Sequence, residues 1–296
     1  MDRTQPRLSP ASPAAAPAAK PPDSQIDVFG LTHPGKVRTE NQDHFLLCQL
    51  NKQIQVHFTS LPEGVRLPGD SERLAFLGMV ADGVGGGALG EEASRIAVGA
   101  ITRYVAECIS SYYASDHSDG DAFGRALADA AKLCHEDLVQ RAAEDPDHPD
   151  MATTLTLFIG VWPRIYLVQV GDSRYYLLKH GELVQISRDQ TIAQELVDQG
   201  VFSPTQAAAT PWASTLSSAI GGSVAHPVVT RIDNDLSYVH LLCSDGLTRH
   251  VPDELIAERL RAMTSARQAC EALLQDALDA GGTDNITVLV GRAKPK

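Results

Sequence analysis

The chain has 296 residues, with 25 Lys and Arg against 37 Asp and Glu, a formal net charge of −12 and 43% hydrophobic residues. That length holds one large domain or two small ones with an ample core. The acidic balance argues against a general nucleic-acid binder or a surface that clings to anionic membrane. The five cysteines are scattered without a Cys-x-x-Cys pair, which speaks against a disulfide framework or a cysteine zinc site.

Six of the 17 prolines fall in the first 22 residues, so residues 1–24 are expected to form a flexible Pro/Ala-rich tail. No secretory signal and no membrane-spanning run is read, and a soluble cytoplasmic monomer is the expectation. From about Ile26 onward, runs rich in β-branched and aromatic residues predict strands at 26–30, 43–50, 53–58 and 73–81. Two helices follow, GEEASRIAVGAITRYVAECISSY and DAFGRALADAAKLCHEDLVQRA, each with apolar residues recurring at three and four positions. The period then changes. TTLTLFIG and RIYLVQVGDS read as a hairpin, RYYLLKHG as the next strand, and YVHLLCSDG and NITVLVG as strands on either side of a helix-rich region at 252–280. Strands come in twos and threes and helices in blocks. The expected class is therefore α+β, with antiparallel sheets and helices outside them.

One stretch stands apart. In MVADGVGGG the apolar run ends at Asp82, and four of the five residues after it are glycine. Asp245 in LLCSDGLT and Asp284 in GGTDNITV also sit beside glycines at strand ends. Each alone reads as an ordinary turn. Together they suit a hard divalent cation, which prefers oxygen ligands, and the bare backbone of Gly83 would let its carbonyl reach the ion as well. Upstream, Arg38 offers a planar fork for phosphate oxygens, although an isolated arginine is more often a surface ion-pair partner.

GKVRTENQD, VADGVGG, ATTLTLFI, VGDSRYYLLKHG, SRDQT, LCSDGLT and GGTDNITV follow one another in this chain. In that order they resemble the metal-dependent serine/threonine protein phosphatases of type 2C, the PPM family, and its bacterial members above all. The resemblance covers about residues 26–291. It implies a four-layer α-β-β-α sandwich, with residues 25–296 as the catalytic domain. It also implies two Mn²⁺ or Mg²⁺ ions in a cleft at one edge of the sheets, with a weaker third. Asp82 would bridge both ions, Gly83 would add its carbonyl, and Asp245 and Asp284 would bind on one side. Asp150 would help Asp245 hold the third ion, Arg38 would hold the substrate phosphate, and Asp43 would organise the water network. Asp172 would be a structural, hydrogen-bonded carboxylate rather than a ligand. The implied reaction is in-line attack by metal-activated water on phosphoserine or phosphothreonine in proteins, opposing a Ser/Thr kinase. A catalytically weakened metal-binding regulatory or scaffold module is the alternative.

Four departures from the family pattern stand out. Gln42 replaces a glutamate that contacts metal-bound water, so it is counted with the metal site, with weaker metal affinity expected. Val84 replaces the histidine of some eukaryotic members, so no general acid is assigned. Residues 51–70 make an inserted loop. Residues 190–222 correspond to the variable flap, where Trp212 is expected to pack the flap in preference to touching substrate.

Overall fold

Successive side chains of a strand point to opposite faces, and the central strands of this fold are buried on both, one face against helices and the other against the facing sheet. The computed structural model describes residues 19–53, 72–85, 88–114, 120–144 and 151–294. In chain order these form β1 (Ile26–His33), β2 (Asp43–Lys52), β3 (Glu72–Val84), α1 (Ala88–Ala114), α2 (Gly120–Glu144), β4 (Ala152–Thr153), β5 (Leu155–Val161), β6 (Arg164–Val170), β7 (Arg174–Lys179) and β8 (Glu182–Gln185). They continue as α3 (Ile192–Asp198), α4 (Pro204–Ala208), β9 (Val228–Asp233), β10 (Val239–Cys243), α5 (Asp245–Thr248), α6 (Asp253–Ala262), α7 (Ala266–Asp279) and β11 (Ile286–Ala293).

One sheet runs β1-β11-β10-β7-β8 and the other β2-β3-β5-β6-β9, with the short β4 pairing beside β3. All pairings are antiparallel. In β6, Tyr166, Val168 and Val170 face the cluster formed with α1 and α2, while Ile165 and Leu167 face the other sheet. In β11, Ile286, Val288 and Val290 face α6 and α7, and Leu289 points between the sheets. The three resulting apolar layers make a four-layer α-β-β-α sandwich, the α+β fold expected from the motifs. Full burial of each such Leu, Ile or Val contributes roughly 1.5–3 kcal/mol.

α7 shows how local sequence sets an element and then delivers a site residue. Ser265 caps it by accepting from Gln268 N at 3.1 Å. Ala266, Ala269, Cys270, Leu273 and Ala277 form its buried stripe. It stops at Gly281 and Gly282, both at positive φ, whose amides donate to the carbonyls of Leu278 and Ala277. Asp284 follows two residues later, just ahead of β11.

Several sequence expectations shift. β2 runs to Lys52, and the strand expected at 53–58 lies almost wholly outside the described residues, as does the loop expected at 51–70. The edge strands β8 and β9 were not foreseen. In β9 the burial pattern is irregular, exposed at both ends, so no clear alternation marks it. At the chain start, Pro21 is buried and its carbonyl accepts from Arg73. The last residues of the stretch expected as a tail therefore lie against the sandwich. Among the described residues no helix is long and apolar enough to cross a membrane.

Candidate metal and phosphate site

The antiparallel register places Asp43, the first residue of β2, directly opposite Asp82 near the end of β3. The first turn of α5 brings Asp245 to the same end of the sandwich, and the loop before β11 brings Asp284. An open cleft of ≈630 Å³ collects Arg38, Gln42, Asp82, Gly83, Asp245 and Asp284. All the described residues expected at the site, Asp43 behind the cleft included, thus meet in one place. Asp150 lies outside the described residues. Asp172 and Arg249 also line the cleft.

The backbone explains why glycines are needed here. Gly83 N donates to Gln42 O at 3.1 Å. A Cβ on Gly83 would stand 2.2 Å from Gly90 O and 2.8 Å from Gln42 O. No side chain fits there, and the chain packs on itself directly beneath the cleft. Asp82 is anchored through its main chain: its N donates to Thr154 Oγ1 at 3.0 Å, and its O accepts from Thr153 Oγ1 at 2.9 Å. The Gln42 amide side chain reaches Gly85 O at 3.3 Å, lying over the glycine turn.

Asp43 is 3% exposed. Its Oδ2 accepts from Ser244 Oγ and Thr287 Oγ1, each at 2.7 Å, whereas its Oδ1 is buried with no partner. An orphaned buried carboxylate oxygen is costly and calls for a donor or an ion. Asn285 ties the neighbouring loop in place. It accepts from Gln42 N at 2.8 Å and donates to Pro34 O and Glu40 O at 3.1 and 2.8 Å. Sequence reasoning missed Ser244, Thr287 and Asn285 as supports, although the Ser-Asp and Asp-Asn pairs at strand ends were the available signal.

Like charges crowd the cleft. Burial, then the charges of Asp43, Asp245, Asp172 and Asp284, push Asp82 well above the usual carboxylate range. Asp245 is raised by burial, opposed by Arg249. Burial raises Asp43 to about 6 against the hydroxyls of Thr287 and Ser244, and burial with Asp245 raises Asp172 to about 7. Two arginines answer this charge. Arg38 makes a two-pronged contact with Asp284, Nε to Oδ1 at 2.9 Å and Nη2 to Oδ2 at 3.1 Å. Arg249 bridges Asp245 and Asp284, the latter at 2.8 Å. With their oxygens turned to guanidiniums, the carboxylates surround no common point: among the described residues no three His, Cys, Asp or Glu side chains are arranged around one ion. The donors themselves, three carboxylates and a carbonyl route through Gly83 beside the orphaned Asp43 Oδ1, are the hard oxygens that suit Mg²⁺ or Mn²⁺.

Residues 190–222 border the cleft through Ser214–Ser218. Thr191 caps α3, and a reciprocal Ser203–Gln206 box caps α4. Trp212 stacks on Phe202 at 6.2 Å between ring centroids and stays 46% exposed. It is packed as expected on one face only.

Residues 69–281 match the Protein phosphatase 2C family. The chain belongs to that family. It is 37% identical over 211 residues to the serine/threonine protein phosphatase PstP of Mycobacterium tuberculosis, a match covering 71% of this chain but 39% of that relative's own length. It is 31% identical over 213 residues to the serine/threonine phosphatase Stp of Listeria monocytogenes, covering 72% of this chain and 82% of Stp. Among solved structures, the catalytic domain of PstP in complex with two manganese ions is similar, with a TM-score of 0.67 and 29% identity over 91% of this chain and 99% of that one. Within this protein phosphatase 2C chain, Val84 ends β3 partly exposed, so the cleft carries no histidine at that place.

The raised carboxyls fix a pH dependence. Their folded-state pKa values exceed the ordinary 3.8, so between about pH 4 and 7 the folded chain binds more protons than the unfolded one, and metal-free stability falls as pH rises through that window. In EDTA, the thermal midpoint at pH 8 should lie several degrees below that at pH 5.5. Equal midpoints would mean that these carboxylates ionise without strain.

Proposed function

We propose that this chain hydrolyses phosphoserine and phosphothreonine monoesters in proteins, acting against a Ser/Thr kinase. The observation that carries this reading is the convergence of Asp82, Asp245 and Asp284 with Arg38 in one open cleft, within a family whose relatives are named as serine/threonine phosphatases. Asp82, Asp245, Asp284 and the Gly83 carbonyl would hold two Mn²⁺ or Mg²⁺ ions, with Gln42 beside them and Asp150 serving a weaker third.

Such ions, when bound, offset phosphoryl charge and lower the pKa of water. The chain's own groups do the rest. Arg38, 55% exposed at the cleft mouth, exchanges Asp284 for the phosphate oxygens, which its fork fits. Asp43 Oδ1 accepts a proton-bearing partner beside Asp82, while Ser244 and Thr287 fix the carboxylate's orientation. Ser214–Ser218 along the flap offer an uncharged wall to the peptide around the phosphorylated residue.

Release of phosphate from a phosphothreonine peptide tests this. Turnover is expected with Mn²⁺ or Mg²⁺ and is expected to vanish in chelator. Turnover that persists in EDTA, or faster turnover of small phosphate esters than of phosphopeptide, would overturn the metal dependence or the protein substrate respectively.

A further inference from the structure

Arg249 ends the turn that Asp245 begins. Four residues apart, the two side chains lie on one face of α5 and its cap, and the guanidinium folds back onto Asp245 Oδ2. The same group donates to Asp284 Oδ2 at 2.8 Å, from 35 positions away in sequence. Arg38 also contacts Asp284 but not Asp245, and it is the more exposed of the two, 55% against 39%. Among the described residues, Arg249 alone therefore engages both of the carboxylates proposed to bind on one side of the two-ion site. Burial disfavours its charge, yet the charges of Asp245, Asp284, Asp172 and Asp82 more than compensate.

We propose that Arg249 is a built-in counter-cation of the ion site: its guanidinium neutralises Asp245 and Asp284 in the metal-free chain, and a divalent ion must displace it to bind. This inference rests on the divalent-ion reading above. A site with this many converging carboxylates needs positive charge to fold without metal. Arg249 provides it from the chain, and the same contacts are lost whenever an ion takes those oxygens. The residue thereby sets the metal concentration at which the site fills, and its released side chain stays tethered at the cleft.

Calorimetric titration of the full chain with Mn²⁺, without substrate, tests the idea beside thermal unfolding in EDTA. Arg249→Gln should bind Mn²⁺ about ten-fold tighter or more, the weight of one charge-assisted hydrogen bond lost from the competitor. Its midpoint in EDTA should fall, and the rise in midpoint on adding Mn²⁺ should exceed the wild-type rise. Arg249→Lys keeps the charge without the fork, so it should bind Mn²⁺ with intermediate affinity; it decides the matter if Arg249→Gln does not fold. Unchanged or weaker Mn²⁺ affinity in the folded variants, with binding intact in the wild type, overturns the proposal alone. No Mn²⁺ binding by wild type or variant overturns the ion site itself.

Discussion

Asp82→Asn should lower metal-dependent phosphate release by about 10³-fold or more and at the same time raise the thermal midpoint of the chelated protein. The two effects share one cause. Asp82 stands opposite Asp43 in the strand register and beside Asp245, with the charges of Asp172 and Asp284 also acting on it. Its ionised form is therefore disfavoured until cations arrive. Asparagine keeps the shape without the charge. It removes the ligand proposed to bridge the ions and also removes the repulsion. A phosphopeptide assay, Mn²⁺ titration and unfolding in EDTA read the three consequences separately. Retained turnover would take Asp82 out of the ion site. A lower midpoint in EDTA would show that its charge is not a burden on the fold. Sites held at a stability cost for the sake of function have this signature.

Gly246→Ala should destabilise the chain by about 3 kcal/mol or more and weaken Mn²⁺ binding with it. An added Cβ would stand 1.9 Å from Asn285 O and 2.9 Å from Asn285 C, with Ile286 Cγ1 at 3.4 Å. The obstructing atoms are backbone at the start of a central strand, which cannot swing aside as a flexible side chain would. Relief must come from separating α5 from β11. That separation moves Asp245, the neighbour of Gly246, and Asn285, which holds Gln42 N and the carbonyls of Pro34 and Glu40. Arg38 lies between those two carbonyls in sequence, so the loop that carries it loosens as well. Denaturant unfolding and Mn²⁺ titration of the variant check both halves. A fall in stability with unaltered Mn²⁺ affinity would mean that Asp245 keeps its place independently of the α5–β11 contact.

Both expectations follow from a single arrangement. The facing ends of β2 and β3, the first turn of α5 and the loop before β11 present their aspartates at one end of the sandwich, where hydroxyls hold Asp43 and arginines hold Asp245 and Asp284. Thr32 Oγ1 contacts Thr287 Oγ1 at 2.8 Å, Thr287 N donates to Ser244 Oγ at 2.9 Å, and Ser244 and Thr287 together hold Asp43. This polar chain crosses from β1 through β11 to β2. The two sheets are thus joined at the site by hydrogen bonds, where the apolar filling seen around Tyr175 and Leu289 gives way to the cleft.

Much of this was legible in the residues alone. Short apolar, β-branched runs in β5, β6, β10 and β11, buried almost throughout, helical spacing in α1, α2 and α7, and Asp-Gly pairs at strand ends are local patterns, set by backbone geometry over a few residues. They were enough to give antiparallel sheets with helices outside them and to single out Asp82, Gly83, Asp245 and Asp284, whereas the four layers and the roles of Arg38 and Asp43 came from the resemblance of the ordered motifs to the family. The short edge strands β8 and β9 escaped because β8 is only four residues long and β9 has an irregular burial pattern, so neither carries a long apolar run. Arg249 escaped for a different reason. After Asp-Gly-Leu-Thr it reads as a cation on a helix surface, and only the docking of β11 beside β10 brings Asp284 within 2.8 Å of it. Asp43 likewise meets Ser244 and Thr287 across 201 and 244 positions. Sequence by itself determined which groups could bind a cation and which elements carry them. Tertiary structure decided that these like charges stand together, because carboxylates repel one another during chain collapse, and the packed sandwich, with the arginines and hydroxyls it brings to them, holds them at one end.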